Sequence, residues 1–182
     1  HPMTTLAIIG ASYLQRPLVL KAKEMGLRTI CFAWAEGAVC RDLVDVFYPI
    51  SIVEKKQILA ICQQEQIDGI CTIASDVAAP TVAYVAEQMG LVGNSYEASL
   101  RANNKWLMRQ AFTSADVPCP QHMCVTTVNV DTIQNQLTLP LIVKPSDRSG
   151  SLAVNKITDW AQLPAALQEA QTASFKGEAM VE

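Results

Sequence analysis

Val143-Lys144-Pro145-Ser146-Asp147-Arg148-Ser149-Gly150-Ser151 is the stretch whose reading decides the fold. Lys144 closes the apolar run Leu139-Pro140-Leu141-Ile142-Val143 and is followed by proline. An ammonium at the end of a buried strand is costly to desolvate unless an anion or solvent meets it. Ser149, Gly150 and Ser151 are small enough for consecutive backbone N–H groups to approach phosphate oxygens. A cation on a strand beside an amide-lined loop makes a polyphosphate cradle. The same residues also suit a surface β-hairpin with a solvated lysine, and the stretch alone does not choose between them.

Outward from this stretch, apolar strands alternate with helical segments. Ala153 to Ile157 follows the loop as a strand, Asp159 caps a helix to about Ala173, and Glu178 to Val181 is a further strand. Upstream, Met123 to Thr127 reads as a strand and Val130 to Leu137 as a helix. Asn94, with Glu97 three residues on, fits a helix N-cap, and one helical stretch is expected to run to about Ala115. Val117-Pro118-Cys119-Pro120 then breaks it.

The first ninety-odd residues have a different style. Leu6 to Ile9 is a short buried strand running into Gly10-Ala11-Ser12. Pro17 suits the first turn of a helix and Gly26 its stop. Leu27 to Trp34, Val46 to Ile52 and Ile70 to Ile73 are strand candidates, with Pro49 interrupting the second. Glu54 to Gln66 and Asp76 to Gln88 read as helices, and Ile58, Leu59, Ile61 and Cys62 share one face of the former. Short apolar strands alternating with helices of this length predict parallel βαβ pairing. The expected fold class is α/β: a small doubly wound parallel-sheet domain followed by an α+β lobe.

Composition narrows the function. Of 182 residues, 50% are hydrophobic, enough for a substantial core. The net charge is −3 and aromatics are 6%, with no basic run, so no nucleic-acid partner is expected. No apolar stretch is long enough to span a bilayer, so no membrane partner is expected. The N-terminus shows no basic segment followed by an apolar one, so no secretory signal is expected. His1-Pro2 read as a remnant before a native start at Met3. Six cysteines lack any CxxC pair, and only His1 and His122 stand ready to join them at a metal. Free thiols in a reducing cytoplasm are the expectation.

Gly10-Ala11-Ser12 stands where a dinucleotide phosphate loop would stand, but the fingerprint fails. Ser12 and Gln15 occupy the second and third glycine positions, although Glu36 lies where a ribose contact is plausible. A tight strand-to-helix turn is the plain reading. A functional one remains: Gly10 and Ser12 here, with Ser75 and Asp76 after the fourth strand, sit at the sheet edge where ligands bind and are candidates for an anionic substrate group. Lys105, in Asn103-Asn104-Lys105-Trp106, reads by itself as a solvated helix residue. The phosphate loop ending in Gly-Lys-Ser/Thr is absent.

The order of these parts resembles the ATP-grasp superfamily, in its carbamoyl-phosphate-synthase-like and biotin-carboxylase-like branch. The resemblance covers residues 4–182 and is most specific at 143–154, with Lys105 at the expected place upstream. It implies a pre-ATP-grasp domain at 4–93, a linker helix at 94–116 and the first lobe of an ATP-grasp domain at 117–182. It also implies that Lys105 and Lys144 bind ATP phosphates, that Ser149, Gly150 and Ser151 cover them, and that Met180, Val181 and Glu182 form the adenine-binding hinge. By family likeness, ATP phosphorylates a carboxylate and an amine or other nucleophile attacks the acyl-phosphate. Magnesium is expected, with its ligands in a second lobe after the hinge, so no metal ligand is assigned in this chain. The chain is therefore expected to be inactive alone, to expose apolar surface and to form a homodimer through it. Ala153 departs from the family's second loop glycine and is expected to stiffen the loop. A non-catalytic nucleotide- or metabolite-binding module, and a structural domain of ligase-like shape, stay open beside this reading.

Overall fold

The computed structural model describes residues 3–127 and 129–182, so His1 and Pro2 lie outside the described residues. The chain forms two compact units that divide between Ser99 and Leu100.

The first unit is a parallel sheet with helices on both faces. Its strands are β1 (Thr5–Ile9), β2 (Arg28–Phe32), β3 (Val46–Tyr48) and β4 (Gly69–Cys71), in the order β3-β2-β1-β4. Side chains alternate along β1, and both faces are covered. Ala7 and Ile9 turn toward the core that holds Ile58 and Cys62 of α2 (Lys55–Glu65) and Val85 and Ala86 of α3 (Ala79–Met89). Ile8 turns the other way, toward Val19 and Ala22 of α1 (Arg16–Glu24). Burying each such isoleucine contributes about 1.5–3 kcal/mol.

Proline sets two helix starts. Pro17 sits in the first turn of α1, where its missing N–H costs nothing. Pro80 does the same for α3, which therefore begins at Ala79 and not at Asp76; residues 76–78 form a turn. β3 ends at Tyr48, just before Pro49, and does not run to Ile52.

The helix expected over 94–115 is two helices, α4 (Tyr96–Asn103) and α5 (Lys105–Ser114). Asn104 separates them with extended backbone, and its side-chain oxygen accepts from Leu107 N–H, capping α5. The cap of α4 is Ser95, whose hydroxyl accepts from Ala98 N–H at 3.1 Å, and not Asn94.

The second unit is an antiparallel sheet of β5 (Met123–Val125), β6 (Leu141–Pro145), β7 (Asn155–Ile157) and β8 (Ala179–Val181), in the order β5-β8-β6-β7. Leu141, Val143, Ala179 and Val181 face a core with Ile133 of α6 (Val130–Gln136) and Leu163, Leu167 and Ala170 of α7 (Leu163–Ala173). Asp159 caps a short 3-10 turn, Trp160–Gln162, that leads into α7. The two units together make the α/β architecture expected from the sequence.

All six cysteines are free thiols, with Cys31, Cys40 and Cys62 buried. Burial pushes Cys31 and Cys62 up to about 12, so both stay neutral and serve as packing groups. Among the described residues no helix is long and apolar enough to cross a membrane.

Candidate functional site

Strand period decides which residues share the face of Lys144. In the β6–β8 register Lys144 lies opposite Met180 and Val143 opposite Val181. Directly opposed residues of an antiparallel pair point to the same face. Met180 and Glu182 therefore share the face of Lys144, whereas Val181 packs into the helix-side core. Of the three hinge residues read from the sequence, Val181 is the one whose side chain is turned away.

Glu182 continues the ladder beyond β8. Its N–H donates to Ile142 O at 3.0 Å, and Ile142 N–H donates to its carbonyl at 2.7 Å. Its carboxylate binds two cations. Arg109 holds it through two nitrogens, at 2.9 and 3.3 Å, and Lys144 Nζ donates to Oε1. The side chains are 9% exposed for Glu182, 15% for Lys144 and 20% for Arg109, so water screens the pairs weakly. Burial pushes the Glu182 carboxyl up. The hydrogen bonds from Arg109 and then Lys144 outweigh it and leave the group below its ordinary value.

Lys105 is not a solvated helix residue. As the first residue of α5 it donates its backbone N–H to Ser146 O at 2.7 Å, and its Nζ donates to Arg148 O. Ser146 is wholly buried; its hydroxyl donates to Glu178 Oε2 at 2.9 Å. Asp147 accepts from Phe175 and Lys176 N–H, and Arg148 stacks over Phe175 at 4.5 Å. These contacts pin the start of the loop, while Ser149, Gly150 and Ser151 are exposed. Lys105 is thus tied to the segment that follows Lys144, while the Lys144 ammonium itself meets Glu182.

Arg109 and Ser146 were missed. Arg109 had a signal: it lies four residues after Lys105, on the same helix face. Ser146 had none, because its burial comes from the pairing of β6 with the segment before β8.

In the first unit, Gly10, Ser12 and Ser75 line a cavity of about 250 Å³ at the C-terminal edge of the sheet, with Leu14, Trp34 and Glu36. Asp76 is not in its lining. The turn's donors are taken within the chain. Gly10 N–H donates to Phe32 O at 2.8 Å, and Ser12 N–H donates to Gln15 Oε1 at 3.0 Å. The anion-binding amides expected at Gly10 and Ser12 are therefore committed elsewhere.

No protein-family model matches the sequence. The chain is 22% identical over 180 residues to the formate-dependent phosphoribosylglycinamide formyltransferase of Hydrogenovibrio crunogenus, covering 98% of this chain and 46% of that protein. It is 33% identical over 84 residues to D-alanine–D-alanine ligase B of Chromobacterium violaceum, covering 46% of this chain and 28% of that one. Among solved structures, N5-carboxyaminoimidazole synthetase from Staphylococcus aureus, complexed with ADP, superposes with a TM-score of 0.76 at 19% identity, covering 98% of this chain and 47% of that one.

These relatives and structural neighbours point to the ATP-grasp superfamily, whose N-terminal part this chain matches.

It spans about half the length of the curated relative that it matches end to end. Its α/β fold is that of the N-terminal portion of ATP-grasp enzymes, and its relatives are ATP-dependent ligases. The residues present fit a nucleotide polyphosphate: Lys105 is bonded at Arg148, where the exposed loop of small residues begins, and Lys144 lies on the strand that leads into it. Among the described residues no group of three or more His, Cys, Asp or Glu stands ready to hold a metal.

The loop after β6 is strained at one point. Gly150, Ser151 and Ala153 have φ of +71°, +55° and +53°. An alanine in the left-handed region costs about 1–2 kcal/mol, part of which glycine would return as unfolded-chain entropy. Ala153→Gly is expected to raise stability by about 0.5–1 kcal/mol in urea unfolding. A midpoint shifted to lower urea would show that the loop is not strained there.

Proposed function

We propose that this chain supplies the nucleotide-gripping part of an ATP-dependent carboxylate–amine ligase that works through an acyl-phosphate. The observation that carries the reading is that Lys105 is bonded to Ser146 and Arg148, in the segment that runs from Lys144 into the Ser149–Gly150–Ser151 loop. In this reading the lysines and the loop amides neutralise the phosphates of ATP, and the strand end Met180–Val181–Glu182 carries the adenine edge.

Phosphoryl transfer is governed by positioning and charge neutralisation. A carboxylate oxygen of the substrate attacks the γ-phosphorus as the bond to ADP breaks. The amine nitrogen then attacks the acyl carbon, and phosphate leaves. Without nucleotide, Lys144 is held by Glu182; with ATP it turns to a phosphate, and Arg109 keeps the carboxylate compensated. Magnesium belongs to the proposal as an expected cofactor, with its ligands in the second lobe of the family; no step is drawn through it.

The cavity around Gly10, Ser12 and Ser75, with Asp76 beside it, is the proposed substrate site. The reading places the enzyme in the cytoplasm, as a homodimer, with 4–93 as the pre-ATP-grasp domain, 94–116 as the linker and 117–182 as the first lobe. Residues 1–182 by themselves are proposed to bind nucleotide weakly and to release no ADP.

The test is ADP release by the full-length protein across a panel of carboxylates and amines. Release that requires both a carboxylate and an amine is expected. ATP binding with no ADP release on any pair would favour a non-catalytic module and sink the ligase reading.

A further inference from the structure

The substrate cavity of the first unit lies at a strand-to-helix turn, the place where a Gly-rich loop takes a phosphate. Here a side chain already sits in that place. Gln15 is only 3% exposed, and both ends of its carboxamide are bonded. Its Oε1 accepts from Ser12 N–H at 3.0 Å and from Ser12 Oγ at 2.8 Å. Its Nε2 donates to Ile73 O at 2.8 Å. A Cβ added at Gly10 would lie 2.9 Å from Gln15 Cδ, so the side chain packs directly on the glycine.

Three further amides of the turn are bonded as well. Leu14 N–H donates to Ser12 Oγ, Gln15 N–H to Ser12 O, and Arg16 N–H to Tyr13 O. The cavity lining carries no Lys, Arg or His. Its acidic member is Glu36, and its apolar wall includes Leu14 and Trp34. A phosphate placed here would lose its water and find neither a cation nor the Ser12 amide to replace it.

We infer that this cavity selects an unphosphorylated, amine-bearing substrate group, and that Gln15 is the residue that excludes phosphate. The carboxamide acts as a built-in acceptor, holding the Ser12 N–H that a phosphate oxygen would need. The apolar part of the substrate lies against Leu14 and Trp34, and its ammonium lies toward Glu36. The inference rests on the ligase reading only in calling the ligand a substrate; the exclusion of phosphate rests on the turn itself.

The test is titration of the 15N-labelled chain followed at the backbone amides of Ser12, Leu14 and Ala74. Inorganic phosphate is expected to leave the wild-type signals unmoved. Gln15→Gly frees the Ser12 N–H and is expected to tighten phosphate binding about tenfold, the value of one charge-assisted hydrogen bond. Gln15→Glu keeps the acceptor in place and is expected to gain nothing. The chloride salt of n-butylammonium, compared with sodium chloride, is expected to shift the same wild-type signals, and Glu36→Gln to abolish most of that shift.

Phosphate-induced shifts at the wild-type Ser12, Leu14 and Ala74 amides, or no response to n-butylammonium, would overturn the inference. Both wild-type titrations decide the question even where a variant fails to fold. ATP added to the same samples reports separately at Ser149 to Ser151. Silence there would count against the ligase reading and leave the cavity result standing.

Discussion

Replacing Lys144 with alanine is expected to weaken ATP binding by the full-length protein about 10- to 150-fold, the loss of one charged contact worth about 1.5–3 kcal/mol. The lobe should stay folded. Glu182 keeps its two-point contact with Arg109, so removing Lys144 leaves no buried carboxylate without a partner. Lys144→Arg, which keeps the cation, should retain part of the affinity, although a guanidinium does not reproduce an ammonium's point contact. Lys156, exposed on β7, is the control, and its alanine variant should bind ATP as the wild type does. Calorimetry that found unchanged affinity for Lys144→Ala would remove Lys144 from the site.

Glu182→Ala should act on stability instead. It leaves Arg109 and Lys144, at 20% and 15% exposure, facing each other with no anion between them. Breaking a fully buried ion pair costs about 3–5 kcal/mol; with this residual exposure about 2–3 kcal/mol is expected. The double variant Arg109→Met/Glu182→Ala removes one of the two orphaned cations. It should be more stable than Glu182→Ala alone, the opposite of additive damage.

Acid gives an independent check. The Glu182 carboxyl lies below its ordinary value in the folded chain. Its contribution is therefore fully present above the unfolded-state value and is lost as pH falls through the folded one. The stability gap between wild type and Glu182→Ala should narrow on acidification through that window. Urea unfolding followed by tryptophan fluorescence measures it, and a gap that stays constant into acid would show that the carboxylate is not the source of the difference.

How much of this was legible in the sequence depends on the range of the interaction concerned. The strands around Ile8, Ile30 and Val143 announce themselves because apolar runs bounded by glycine, proline and asparagine act locally. The break at Asn104 was missed because a long helix and two short ones share the same apolar period, and only the cap geometry separates them. The committed donors at Gly10 and Ser12 were missed for a related reason. Gln15 looks like a failed glycine until its carboxamide is seen folded back over the turn.

The sequence by itself determined the α/β class, Lys144 and the small-residue loop, because these follow from local periodicity and from the desolvation cost of an ammonium at a strand end; Lys105 came only from the family resemblance. The tertiary structure alone decided what Lys144 meets. Strand register brings Glu182 to its face from 38 positions away, and helix α5 brings Arg109 to the same carboxylate. The lysine on which the reading opened is therefore a charge already balanced within the chain, and in the proposed function a nucleotide displaces its partner.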